Sequence, residues 1–316
     1  MTGISSAKIH HRLSALRAFQ QPCSLAIGSF DGVHLGHQAI VEQVVAYAQD
    51  RGLESRLLTF YPRPSEYFAE DKTLPSLMSW REKVSFLANL GLDDVICMPF
   101  NRSLSELSPK DFIEQILVQG LKAEYLTVGS DFRFGAKKGG DPKLLESLSS
   151  DFGYQLGIAS TKTFEGSRIS STSIREALLD GNMELAERLL GRSYRLCGRV
   201  IRGKQLGRQL GAPTANVHLK RRRLCVNGVY VAKAWVQGLS YDAIANVGVR
   251  PAVDNLEKPL LEVHLLDYDR DLYGQQLEVD LLHKIRSEKK FDSLAILQRQ
   301  IGEDIAEAKR WHIQNK

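Results

Sequence analysis

Two hydrophobic periods share the chain. Through the first 190 residues, short apolar runs read as buried strands: "CSLAIGSF" (23–30), "SRLLTF" (55–60), "DVICMPF" (94–100), "AEYLTVGS" (123–130) and "YQLGIAST" (154–161). Between them the apolar positions recur every three or four residues. This holds from about Leu35 to Asp50, through Val84, Leu87 and Leu90, and in "KDFIEQILVQG", "PKLLESLSSDFG" and "MELAERLLG". Ser108-Pro109 adds a cap and a first-turn proline ahead of the third of these five helical segments. Strands alternating with helices predict a doubly wound parallel α/β sheet, whose ligands bind beyond the carboxyl ends of the strands.

From Tyr194 the period shortens to two. "YRLCGRVI", "GVYVAKAWV", "YDAIANVG", "LLEVHLLDY" and "QLEVDLLHKI" follow one another with no long helical pattern between them, which predicts an antiparallel β-barrel. Phe291, Leu294, Leu297, Ile301 and Ile305 then repeat every three or four residues, as in a closing amphipathic helix. The expected domains are 1–186 and 187–316, with the boundary near 186–194. A length of 316 residues suits two cores.

Composition narrows the class. Hydrophobic residues make up 43% and charged residues 25%, and no apolar run approaches the ~20 residues a bilayer span requires. The start of the chain has basic residues but no continuous apolar core after them, so no secretory signal is expected. Cys23, Cys97, Cys197 and Cys225 are far apart, as expected of reduced thiols in a cytoplasmic protein. The net charge of +5 suits phosphorylated small molecules without requiring them. "KRRR" at 220–223 reads either as a nucleic-acid contact or as a solvated loop. Without interleaved aromatic residues the second is favoured, and neither nucleic acid, membrane nor an obligatory protein partner is expected.

Candidate chemistry lies at the punctuation. In "GSFDGVHLGH" (28–37), Gly28, Gly32 and Gly36 allow close backbone approach around Phe30 and Asp31. His34 and His37 fall one turn apart where a helix starts, a natural seat for phosphate; an H-x-x-H metal pair is the competing reading. "ISSTSIREAL" (169–178) places Ser171, Thr172 and Arg175 at a second helix start, either as phosphate ligands or as an ordinary cap beside a solvated Arg. In the second half, "GKQLGRQLGAPTANV" (203–217) reads as a glycine-rich flap, with Gly207 and Gly211, running into Pro213-Thr214-Ala215-Asn216. The apparent phosphate-loop match from Gly198 to Lys204 has Gln205 where Ser or Thr is needed, so it is set aside. Thr214 and Asn216 are hard oxygen donors suited to Mg²⁺; an Asx-type turn after the proline is the alternative.

Together, GSFDGVHLGH and ISSTSIR resemble the HxGH nucleotidyltransferase superfamily. "TFYPRPSEYF" and "VGSDFRFGAKKGGD" resemble its FMN adenylyltransferase branch. GRQLGAPTAN, NGVYVAKAWV, ANVGVRPAV, LEVHLLDY, DLYGQQL and KIRSEKKFDSL follow in the order of bacterial riboflavin kinase domains. Across nearly the whole chain the pattern resembles the bifunctional riboflavin kinase/FMN adenylyltransferase family. That resemblance implies ATP-dependent phosphorylation of riboflavin to FMN, then adenylyl transfer to FMN. The substrates would be ATP, riboflavin and FMN, with Mg²⁺. It further implies that His34 and His37 counter charge on the ATP phosphates, and that Ser171, Thr172 and Arg175 hold the β- and γ-phosphates. By the same resemblance Asp131 lies near the flavin or metal, and Thr214 and Asn216 bind Mg–ATP. Glu262 would be the base on the ribityl hydroxyl, with Arg286, Glu288 and Phe291 near the flavin pocket.

Four positions depart from the family pattern. Tyr61 stands where an acidic residue is usual, Ala212 where the flap has Phe, and Val249 and Ala252 where threonines are usual. Two other readings therefore stay open: an enzyme retaining only FMN adenylyltransferase activity, and a non-catalytic flavin or RNA binder using the 220–223 run.

Overall fold

The computed structural model describes residues 7–11, 19–69, 74–203, 212–250 and 258–315. Gly207, Gly211 and Ala252 lie outside them. The chain forms two compact units, Met1–Leu74 with Trp80–Ser170, and Pro75–Ser79 with Ser171–Lys316. The second unit thus takes a five-residue strap from the middle of the first half. No helix among the described residues is long and apolar enough to cross a membrane.

The first unit runs β1 (Lys8–His10), β2 (Cys23–Ile27), α1 (Leu35–Arg51), β3 (Glu54–Tyr61), α2 (Pro64–Ala69), α3 (Trp80–Leu87), β4 (Asp94–Pro99), α4 (Arg102–Ser105), α5 (Pro109–Asp111), β5 (Ala123–Gly129), α6 (Pro142–Phe152) and β6 (Gln155–Ala159), then the hairpin β7 (Thr163–Phe164) and β8 (Ser167–Arg168). Its sheet has the order β1-β4-β3-β2-β5-β6, and every pairing is parallel. Strand order reverses between β2 and β5, so their carboxyl ends flank the crevice where such sheets bind ligands. β2 is buried along its whole length and joins Leu58, Ile96, Leu126 and Val128 in the core.

The segment from Ser108 departs from the plain helix its spacing predicts. The Ser108 side chain accepts from the Asp111 N–H and Pro109 opens α5 as expected, but Phe112–Gly120 continues as a π-helix. Cys23 and Cys97 are buried free thiols, and burial pushes both up to about 12, which suits inert core positions.

The second unit contains α7 (Ser171–Asp180), α8 (Met183–Leu190), β9 (Tyr194–Ile201), β10 (Ala215–His218), β11 (Gly228–Val236), β12 (Leu239–Arg250), β13 (Lys258–Leu265), β14 (Gln276–Arg286) and α9 (Leu294–Gln314). The six strands close an antiparallel barrel in the order β10-β13-β12-β11-β14-β9. Period-two alternation does the sorting: Leu261, Val263 and Leu265 point into the barrel, while Glu262 and His264 point outward. α9 packs its Ala308 on Val229, Val231 and Ile244. Its buried stripe runs later than expected, through Asp304, Ala308 and His312, whereas Leu294 is exposed and Phe291 precedes the helix.

The strap Pro75–Ser79 is held by its own unit's arginines. Arg175 Nε donates to the Pro75 carbonyl (2.8 Å) and Arg221 Nη1 donates to the Leu77 carbonyl (3.1 Å). Leu77 is fully buried. Arg221 also donates to the Tyr194 hydroxyl, so at least one arginine of the basic run serves the fold.

Candidate functional site

The chain leaves β2 through Gly28, where a Cβ would sit 3.1 Å from the Phe30 ring. Phe30 (φ 46°), Gly32 (φ 85°) and Val33 (φ 40°) all adopt left-handed backbone, folding the loop back on itself. The two apolar side chains are buried as anchors. Asp31, also buried, pairs with Arg63 Nη1 at 2.5 Å. Lys83 Nζ donates to the Ser29 carbonyl at 2.8 Å, and its burial lowers its pKa. The bend is therefore clamped from within by two cations the sequence reading passes over.

This bend delivers His34 to the N-cap of α1. Its Nδ1 accepts the backbone N–H of His37 at 3.3 Å, which fixes the neutral tautomer with the proton on Nε2. Gly36 lets that ring lie flat, since a Cβ there would sit 3.1 Å from it. The rings of His34 and His37 stack at 3.6 Å between centroids, and Phe30 tilts against His37. His37 is half-buried, but its Nδ1 is sealed from solvent with no hydrogen-bond partner among the described residues. Burial, then the neighbouring His34, Lys83 and Arg168, keep His37 well below the ordinary imidazole range. The pair is thus two stacked rings, His37 neutral, at a helix N-terminus.

Across the switch point, Asp131 follows β5 and pairs with Arg168 at 2.8 Å. The Arg168 guanidinium holds that carboxyl below the usual carboxylate range. Arg168 is thereby an electrostatic neighbour of both Asp131 and His37, a role whose only sequence signal is its place just ahead of ISSTSIR. Near the end of β3, Tyr67 and Phe68 meet Phe100 edge to face, leaving Phe68 62% exposed. Tyr61, the first departure from the family pattern, is exposed and tilts against Trp80. Ser171, Thr172 and Arg175 belong to α7 in the second unit, where Arg175 is buried against the strap.

In the barrel, β10 lies between β9 and β13, and Asn216 pairs directly with Glu262. Opposed residues of antiparallel strands share a face, with Cβ atoms ~4.5–5.5 Å apart. Asn216 is buried, and its amide fills the space over Gly203, where a Cβ would come within 2.4 Å. Thr214 precedes β10, and the adjoining Pro213 carbonyl lies 2.8 Å from His264 Nδ1. A cavity of about 570 Å³ opens there, lined by Pro213, Thr214, Val263, Tyr268, Arg270 and Tyr273. Ala212 is buried, and Val249 is exposed.

The three remaining positions separate in role. Glu288 accepts from Asn227 Nδ2 at 2.9 Å and occupies the space over Gly248, which a Cβ would fill. Arg286 contacts Asp304 of α9 at 2.7–3.1 Å and covers the Phe291 ring at 5.6 Å. Its guanidinium ties the helix to the barrel. Among the described residues no group of three or more His, Cys, Asp or Glu forms a metal cluster.

Residues 16–173 match the family described as FAD synthetase, and residues 190–312 the family described as riboflavin kinase. The chain is 42% identical over 297 residues to a Pseudomonas fluorescens protein named bifunctional riboflavin kinase/FMN adenylyltransferase, covering 94% of this chain and 95% of that one. Proteins of the same name from Escherichia coli K12 (44% over 299 residues, 93% of each chain) and Haemophilus influenzae (42% over 290 residues, 92% and 94%) are similarly close. A solved Streptococcus pneumoniae structure titled macrolide-efflux protein superposes with a TM-score of 0.82 at 28% identity, covering 96% of this chain and 99% of that one.

Proposed function

The chain belongs to the bifunctional riboflavin kinase/FMN adenylyltransferase family, and on that premise we propose that it phosphorylates riboflavin with ATP and then adenylylates the resulting FMN with a second ATP. The observation that carries this reading is that the chain holds both a stacked imidazole pair at the head of α1 and an Asn216–Glu262 pair on the barrel.

In the kinase half, the ribityl 5′-oxygen attacks the γ-phosphorus of ATP, and ADP leaves. Glu262 accepts the hydroxyl proton as the new P–O bond forms. The donor set of Thr214 and Asn216, a hydroxyl and an amide oxygen beside a carboxylate, fits the hard Mg²⁺ that accompanies ATP. Bound there, the ion would withdraw charge from the phosphates. The cavity beside Thr214 is the proposed seat of the nucleotide.

In the adenylyl half, a phosphate oxygen of FMN attacks the α-phosphorus of ATP and expels pyrophosphate. The protein contributes alignment and charge stabilisation. The proposed donors are the Nε2–H of His34, His37 and the backbone N–H groups of Leu35 and Gly36 in the first turn of α1. His37 acts as a neutral donor, so it adds no net charge. Asp131 and Arg168 are proposed on the flavin-phosphate side, with the aromatic surface of Phe68 and Phe100 for the flavin ring. For Ser171, Thr172 and Arg175 the phosphate-holding role is the one the motif implies.

Incubation of the purified chain with riboflavin, ATP and Mg²⁺ followed by chromatography tests the whole reading. FAD with transient FMN is expected. Failure to form FMN from riboflavin, or FAD from supplied FMN, refutes the corresponding half.

A further inference from the structure

Glu262 has two neighbours in register, not one. On β10 it faces Asn216, and on β12 it faces Asn246. The three side chains form one row on the outer face of the barrel, with the carboxylate in the middle. Ala245 and Val247 point into the core with no exposure, so residues 244, 246 and 248 point outward. Each of the outward neighbours is covered: Ile244 packs under α9, and Gly248 lies beneath the Glu288 carboxylate. Asn246 alone of the three is half-buried with its amide uncommitted, making no hydrogen bond to another described residue.

An asparagine at the centre of a strand is poorly suited to the sheet, and an unused amide contributes nothing to offset that. Its chemistry suits a polyhydroxylated chain: two N–H donors and one carbonyl acceptor within reach of the groups that flank the base. We propose that Asn246 is a further substrate-contacting residue of the kinase half. It hydrogen-bonds the ribityl hydroxyls and presents the acceptor oxygen to Glu262 from the side opposite Asn216. The proposal rests on the assignment of Glu262 as the kinase base, and it adds a residue that reads the acceptor and not the nucleotide.

The test is steady-state kinetics of riboflavin phosphorylation on the full chain with Asn246→Ala and Asn246→Ser, alongside adenylylation of supplied FMN and the thermal midpoint. Asn246→Ala is expected to raise the KM for riboflavin about tenfold, the loss of a buried hydrogen-bond partner, while the KM for ATP stays within twofold. Asn246→Ser, which keeps a shorter hydroxyl donor, is expected to fall between Ala and the parent. An unchanged riboflavin KM in both variants overturns the proposal. So does an equal loss for riboflavin and ATP accompanied by a lowered midpoint, which would make Asn246 a packing residue. A parent chain that forms no FMN refutes the kinase assignment instead, before any variant is compared.

Discussion

Nδ1 of His34 accepts the backbone N–H of His37 while the two imidazoles stack at 3.6 Å. One ring therefore caps the helix through Nδ1, which leaves its proton on Nε2. The two duties separate by substitution. His34→Asn keeps a good N-cap and loses the Nε2–H, so adenylyl transfer is expected to fall ~10²–10³-fold with little change in stability. His34→Ala loses the cap as well, and is expected to cost about a further 1 kcal/mol in denaturant unfolding of the first unit.

Glu262 offers the complementary separation. Glu262→Gln preserves the shape of the side chain opposite Asn216 but removes the proton acceptor. Riboflavin phosphorylation is expected to slow ~10²–10⁴-fold, with adenylylation of supplied FMN unchanged. Equal loss in both half-reactions would remove Glu262 from the role of base.

The buried Asp31–Arg63 pair clamps the bend beneath the histidines. Arg63→Ala leaves a buried carboxylate without that cation, and breaking such a pair typically costs about 3–5 kcal/mol. The expected readout is a lowered urea midpoint. A midpoint unchanged within error would show that the bend holds without the clamp.

The same bend sets a pH dependence. His37 is held well below 6.5 in the folded state, whereas in the unfolded chain it titrates near that value. Between the two pKa values the unfolded state binds the extra proton, so this residue's contribution is fully present above pH ~6.5 and is lost as pH falls below it. A plot of thermal midpoint against pH is expected to drop less steeply on the acid side for His37→Gln than for the parent chain. Coincident slopes would contradict a neutral, desolvated His37.

Features set by near neighbours were legible in the local pattern. The Ser108-Pro109 cap and the alternation of Glu262 with Leu261 and Val263 each depend on near neighbours, and each appears in the fold. The spacing of Val84, Leu87 and Leu90 does not: α3 ends at Leu87 and buries Glu82, Lys83 and Leu87. What the pattern hides is partnership across distance. Nothing beside Arg286 in sequence points to Asp304 as its partner, and nothing beside Lys83 points to the Ser29 carbonyl. The π-helical stretch after Asp111 keeps ordinary helical apolar spacing, so its wider hydrogen-bond register leaves no mark in the residues. Leu294 shows the opposite error: an apolar residue at the right period that the fold leaves in water.

The strap from Pro75 to Ser79 changes what a fragment of this protein is. Because the polypeptide enters the barrel unit at residue 75, leaves after residue 79 and re-enters at 171, no single cut yields two intact halves. A clone beginning at Ser171 would express the barrel with the socket of Leu77 empty. Proteolysis within one passage would nick the molecule while two other covalent links still joined its parts. The two enzymes cannot be traded between genes as simple beads on a string.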